Sequence, residues 1–183
     1  DGDMDADFLR NLYVDKSYYV DDHFIYASAS EHMNLTIAGN EIATSSNDDR
    51  NPVYALADSL NYVMENNYMS ISYSRTDQYY NAFEISASND IMIDMNNNTI
   101  DFSCAYDGNH DFFNTYTPTS EISGSIKDNV IHFDSSDLRS VFNLDSITGG
   151  NLTFTGNKIY GTLQSDNTEF VLNYHGTSLN ATI

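Results

Sequence analysis

The sequence predicts a mainly β protein: a soluble antiparallel β-barrel of about eight strands, preceded by a smaller β-rich N-terminal part that contains one α-helix. Two observations predict the barrel. Large apolar and small polar residues alternate with period two through YMSISYS (68–74), NAFEISAS (81–88), IMIDM (91–95) and TIDFSCAY (99–106), the pattern of strands with one face buried. Turn-forming residues then interrupt the alternation every 8 to 12 residues or so, the spacing of an antiparallel meander, and closing such a meander removes its unpaired edges.

The chain opens with Asp1, Asp3, Asp5 and Asp7 on alternate residues. A calcium loop of the EF-hand type would need a Gly at its sixth position and a Glu at its twelfth, and Ala6 and Leu12 stand there instead. The segment therefore reads as a disordered, solvated acidic terminus. YYVDDHFIYA and a hairpin NLTIAGNEIAT, turning at Gly39-Asn40, come next. A helix over about residues 52–66 follows, with Asn51 as cap and Pro52 in its first turn. Val53, Leu56, Ala57, Leu60 and Met64 would form its apolar face. A soft boundary near residue 78 divides the chain into 1–77 and 78–183.

The remaining strands are EISGSIK, VIHFD, VFNLD, NLTFT, KIYGTL, TEFVLNYH and SLNATI. Turns at Asn96-Asn97-Asn98, Asp107-Gly108-Asn109, Asp128-Asn129, Gly149-Gly150, Gly156-Asn157 and Ser165-Asp166-Asn167 separate them. Their alternation directs Ile100, Phe102, Cys104, Ile131, Phe133, Phe142, Leu144, Leu152, Phe154, Ile159, Leu163, Phe170, Leu172 and Tyr174 inward. Asp94, Asp101, Ser103, Lys127, His132, Asn143 and Asn173 point outward, and charges there would face lipid in a membrane barrel at a cost of about 2–4 kcal/mol for a cation near the midplane. A water-soluble barrel is the consequence.

Composition narrows the partners. With 27 acidic against 7 basic residues in 183, the formal charge is −20, which repels nucleic acid and anionic membranes. No apolar run is long enough for a membrane helix. The start at Asp1 and the abundance of solvated carboxylates fit a mature secreted or extracellular surface protein. Cys104, alone in the chain, has no internal disulfide partner and falls on an inward face as a buried thiol. The four Asn-x-Ser/Thr triplets, at Asn34, Asn97, Asn151 and Asn180, are what chance supplies in a chain this rich in Asn, Ser and Thr.

Catalytic and metal motifs are missing from the sequence. The five histidines follow no zinc-binding spacing, and no Gly-x-Ser-x-Gly elbow or phosphate loop occurs. The expectation is a protein that is not an enzyme, with a glycoside hydrolase built on an unrecognised carboxylate pair as the remaining catalytic alternative. The candidate binding residues lie in YVDKSYYVDDHFIY, where aromatic side chains crowd around His23. Tyr18 and Tyr19 must point to opposite faces of a strand, whereas Tyr19 and His23 share one. A groove lined by Tyr19, His23 and Tyr26, with Tyr18 beside it, would hold a flat ligand or a sugar by stacking. His110, beside a predicted turn, is the second candidate location.

Several of these features occur together in Asn98-Thr99-Ile100, Ile122-Ser123-Gly124-Ser125-Ile126, Asn129, Gly149-Gly150 and Ile159-Tyr160-Gly161. In that order they resemble the C-terminal barrel of bacterial surface proteins of the transferrin-binding protein B type, a group that includes the secreted haem-binding hemophilins. The resemblance spans about residues 85–183. It departs from the family after Tyr160-Gly161, where Thr162-Leu163-Gln164-Ser165 replace the usual Gly-Pro and paired acidic residues. It implies capture of haem, or of an iron-carrying host protein, by the N-terminal part, with the barrel as scaffold. The rival reading from the residues is an adhesin or carbohydrate-binding module with exposed tyrosines.

Overall fold

The computed structural model describes residues 2–15, 24–46, 53–73, 81–104, 110–116, 121–135, 138–147, 149–163, 170–176, 178 and 180–182. These residues form a parallel β-solenoid, in which the chain winds through three sheets per coil. The first coil is β1 (Met4–Leu9), β2 (Leu12–Asp15) and β3 (Ile25–Ser28); the second is β4 (His32–Ala38), β5 (Glu41–Ser46) and β6 (Val53–Ala57). The third is β7 (Ser59–Glu65), β8 (Tyr68–Tyr73) and β9 (Phe83–Ala87), and the fourth β10 (Ile91–Asn96), β11 (Thr99–Cys104) and β12 (His110–Tyr116). The fifth is β13 (Glu121–Lys127), β14 (Val130–Ser135) and β15 (Leu138–Ile147), the sixth β16 (Gly149–Thr155), β17 (Lys158–Leu163) and β18 (Phe170–Gly176), and β19 (Asn180–Thr182) stacks on β16.

Sheet A has the order β1-β4-β7-β10-β13-β16-β19, sheet B β17-β14-β11-β8-β5-β2, and sheet C β18-β15-β12-β9-β6-β3. Strands from both sides of residue 78 lie in each sheet.

This overturns the antiparallel barrel. Successive strands in sequence never pair among the described residues; each pairs in parallel with the strand one coil away. The resemblance to the transferrin-binding protein B type falls with the barrel, because its strand, polar turn and strand pattern is equally the pattern of a solenoid corner. Gly39-Asn40 shows the difference. It joins β4 in sheet A to β5 in sheet B, so it is a corner and not a hairpin turn. Asn97-Asn98, Asp128-Asn129 and Gly156-Asn157 are equivalent corners, whereas Gly149-Gly150 opens strand β16. The predicted turns at 107–109 and 165–167 lie outside the described residues.

The helix over 52–66 is also replaced, by strands β6 and β7, and no helix occurs among the described residues. Val53, Ala55 and Ala57 are buried on β6, and Leu60, Tyr62 and Met64 on β7. Two period-two runs offset by one extra residue at the corner place apolar side chains at 53, 57, 60 and 64, which imitates helical spacing. Leu56 betrays the imitation: it belongs to the would-be helical face but is 36% exposed, while the fully buried Ala55 and Tyr62 lie off that face. Residues 51–52 lie outside the described residues. The acidic start is corrected as well, since Met4–Leu9 is an edge strand on β4. Asp3 Oδ1 accepts the His32 amide at 3.2 Å and Asp5 Oδ1 accepts Asn34 Nδ2 at 2.7 Å.

The described inward side chains hold their positions even though the architecture changes, while those of Leu163, Phe170 and Tyr174 lie outside the described residues. Ile100, Phe102, Cys104, Ile131, Phe133, Phe142, Leu144, Leu152 and Phe154 are buried, and Ile159 and Leu172 pack against the core. Cys104 is not disulfide-bonded. In-register stacking sets like on like: Met33, Leu60, Ile91 and Ile122 form one inner row of sheet A, and Ile37, Met64, Met95, Ile126 and Phe154 another. Phe113 lies between Phe83 and Phe142 in sheet C, with Phe112 edge-on to Phe83 at 5.2 Å and Phe154 edge-on to Phe142 at 5.3 Å. Such ring pairs add about 0.5–1.5 kcal/mol each beyond the area they bury. Tyr62 is fully enclosed, its hydroxyl donates to Met64 Sδ at 3.4 Å, and burial pushes its phenol well above the ordinary value.

An asparagine ladder runs up the A–B corner. Each of these corners is two residues long, the first with positive φ (Arg10, Gly39, Asn66, Asn97, Asp128 and Gly156, 55° to 69°) and the second Asn (Asn11, Asn40, Asn67, Asn98, Asn129 and Asn157). Gly, Asn and Asp tolerate left-handed backbone best, and Arg10 is the exception. Neighbouring ladder residues are 27 to 31 positions apart in sequence. Asn98 shows the bonding. Its Oδ1 accepts the Asn67 amide at 3.0 Å and Asn67 Nδ2 at 2.8 Å. Its Nδ2 donates to Met64 O at 2.8 Å and to Asn129 Oδ1 at 3.0 Å. The primary amide is saturated, which is what a buried polar group requires.

A second, outer ladder on sheet A stops short. Asn61 Nδ2 donates to Asn34 Oδ1 at 3.2 Å, and Asn34 Nδ2 to Asp5. The next residue in register is Met92, which leaves the enclosed Asn61 Oδ1 without a donor. Met92→Asn supplies that donor. The expected result is a gain of about 1 kcal/mol, the net worth of one hydrogen bond, read as a higher urea midpoint; an unchanged midpoint would show that solvent already serves this oxygen.

Candidate functional site

The outer face of sheet B carries a cluster assembled from four successive coils. Strands β8, β11, β14 and β17 stack in register, so that Ser70, Asp101, His132 and Tyr160 form one row along the solenoid axis. Tyr68 lies beside this row in register with Thr99. Alternation explains why these side chains point outward: the neighbours Met69, Ile71, Ile100, Phe102, Ile131 and Phe133 are all buried.

Asp101 ties the cluster together. Its Oδ2 accepts the Tyr68 hydroxyl at 3.1 Å and its Oδ1 accepts His132 Nδ1–H at 2.8 Å. That second bond engages Nδ1 and leaves Nε2 as the ring's remaining polar atom. The His132 ring stacks on Tyr160 with centroids 5.2 Å apart and planes inclined by 30°. The hydrogen bond from Tyr68 to the carboxylate, and then the charge itself, raise the Tyr68 phenol above its ordinary value. Tyr68 and Tyr160 are nonetheless 46% and 52% exposed, so both rings are oriented by neighbours and open to solvent. A shallow depression of ≈ 210 Å³ lies beside them, lined among others by Ser70, Ser103, His132 and Asp134.

The sequence-predicted groove is described only in part. Tyr18, Tyr19 and His23 lie outside the described residues, and His110 begins β12 with its side chain outside them as well. Tyr26 is on the outer face of sheet C, 61% exposed, with its ring flat against Tyr54 at 5.6 Å and 6°. Burial, followed by the charge of Glu84, raises the Tyr54 phenol. His132 stands on an outer face, as the alternation predicts, and is half exposed. The sequence reading treats it as an ordinary surface histidine and leaves Tyr68, Asp101 and Tyr160 without a joint role. They are about 30 residues apart, and a period of that length is the one signal that could have grouped them.

Fold and site together define a parallel β-solenoid with an aromatic and carboxylate cluster on one open face. Comparison with family models, with curated proteins and with solved structures finds no match for this chain. The haem and iron-acquisition reading rested on the barrel resemblance alone, and it falls with that resemblance. Among the described residues, no three His, Cys, Asp or Glu side chains converge as metal ligands.

Proposed function

We propose that this chain is a secreted or surface-displayed glycan-binding β-solenoid that uses the outer face of sheet B. The observation that carries the reading is the set Tyr68, Asp101, His132 and Tyr160, two exposed rings held in place by a shared carboxylate and a stacked imidazole. Aromatic faces with polar tips suit the mixed apolar and hydroxyl surface of a sugar ring. A carboxylate and an imidazole nitrogen supply hydrogen-bond partners for its hydroxyls. Preorganisation lowers the entropy lost on binding. The sheet supplies this rigidity, because each side chain stands on a strand paired on both sides or, for Tyr160, on one.

The test is binding of the intact protein to an immobilised glycan panel, alongside Tyr160→Ala. Loss of one exposed stacking ring should weaken binding about tenfold, equivalent to ~1.4 kcal/mol. A variant that binds every glycan as the unmodified protein does would move the site elsewhere, with the Tyr26–Tyr54 face the next to test.

A further inference from the structure

We infer, building on the glycan-binding reading above, that the ligand is a linear glycan without acidic groups, laid along the solenoid axis across β8, β11, β14 and β17. Direction comes from where the rings are. Along any one of these strands the described outer face offers at most one aromatic or imidazole ring, whereas across them it offers Tyr68, His132 and Tyr160. The depression beside the rings also runs across strands, touching Ser70 and Ile71 on β8, Asp101 to Ser103 on β11, and His132 to Asp134 on β14. Strands in a sheet are about 4.8 Å apart, so the three steps from β8 to β17 span about 14 Å. A linear chain of several sugar units can follow that line, each ring meeting a fresh strand.

Charge selects the class. Glu41, Asp101 and Asp134 stand on this face against Lys158 and the ionisable His132. The whole chain carries −20. An acidic polysaccharide would bring its carboxylates against Asp101 and Asp134 and approach through a repulsive field. A neutral or amine-bearing chain meets neither obstacle. Each oxygen of Asp101 already accepts one hydrogen bond but retains capacity for a second, from a sugar hydroxyl or ammonium.

The experiment is calorimetric titration of the full chain with three soluble linear series, cello-oligosaccharides, chitosan oligosaccharides and oligogalacturonates, each at low and high salt. It is repeated with Tyr160→Ala, whose folding is checked by circular dichroism. The expected result is that the neutral or the amine-bearing series binds at least tenfold more tightly than the acidic one. Its affinity should rise with chain length until the four strands are spanned and then level off. Tyr160→Ala should remove most of it. Acidic oligomers bound as tightly, and in a Tyr160-dependent way, would overturn the charge assignment and leave the glycan reading standing. Affinity that does not change from monosaccharide to oligomer would overturn the axial path. A series that binds equally well to Tyr160→Ala would overturn the placement on this face, and if none of the three series binds at all, the glycan reading itself fails.

Discussion

Asn98→Ala should lower the free energy of unfolding by about 4 kcal/mol or more, while Asn157→Ala should cost about 1–2 kcal/mol. Asn98 is 1% exposed and makes four side-chain hydrogen bonds. Its loss strands the Asn67 amide, the Asn67 primary amide and the Met64 carbonyl inside the corner, and a buried group left unsatisfied costs about 1–3 kcal/mol. Asn157 accepts two bonds from Asn129 and donates one to Ile126 O, but it is partly exposed, so water can replace part of what is lost. Asn98→Asp would be no milder, because it keeps the acceptor but sets a carboxylate oxygen against Met64 O and Asn129 Oδ1. Denaturant titration of the three variants checks the order. If Asn98→Ala and Asn157→Ala lose equally little, the ladder is not what holds the coils together.

The second large effect is expected at Gly124, in the middle of sheet A. Its φ is +114°, and a Cβ there would land on the carbonyl of Ile93 in the neighbouring strand β10. Neither obstacle can relax, since β13 is paired with β10 on one side and β16 on the other. Gly124→Val should therefore cost more than ~3 kcal/mol, combining backbone strain of about 1–3 kcal/mol with the broken contact between strands. Gly2 is the control. It has a similar φ of +112°, but a Cβ on it would meet nothing within 4 Å, so Gly2→Ala should show backbone strain alone. Thermal melting of the two variants would decide: equal shifts would mean that packing at Gly124 contributes nothing.

The cluster on the outer face of sheet B illustrates what local sequence conceals. Tyr160 and His132 read as ordinary outer-face residues in two separate strands. Only stacking one coil on the next brings the imidazole against the ring, and places Asp101 where it accepts from both His132 and Tyr68. No spacing within a single strand carries that information. The crowded segment around His23 draws attention for the opposite reason, since its aromatics are adjacent in sequence; of the residues proposed there, Tyr26 alone is described, and its ring lies on Tyr54 one coil away.

What can be read along the chain is local: β-strands over most of its length, the inward set from Ile100 to Phe154, and bends at Gly39-Asn40, Asn97-Asn98, Asp128-Asn129 and Gly156-Asn157. Period-two alternation decides which side chains a strand buries, and positive-φ residues decide where it turns. Which strand pairs with which is another matter. A hairpin turn and a solenoid corner draw on the same Gly, Asn and Asp residues, and a strand's backbone hydrogen bonds are satisfied equally by the next strand in sequence or by one about 30 residues away. Tertiary structure decided for the distant partner. Only parallel, in-register coils put every corner Asn directly above another, where each buried amide finds all its partners, and set apolar rows on apolar rows inside. An antiparallel barrel would leave those asparagines scattered, with no neighbour to complete their bonds.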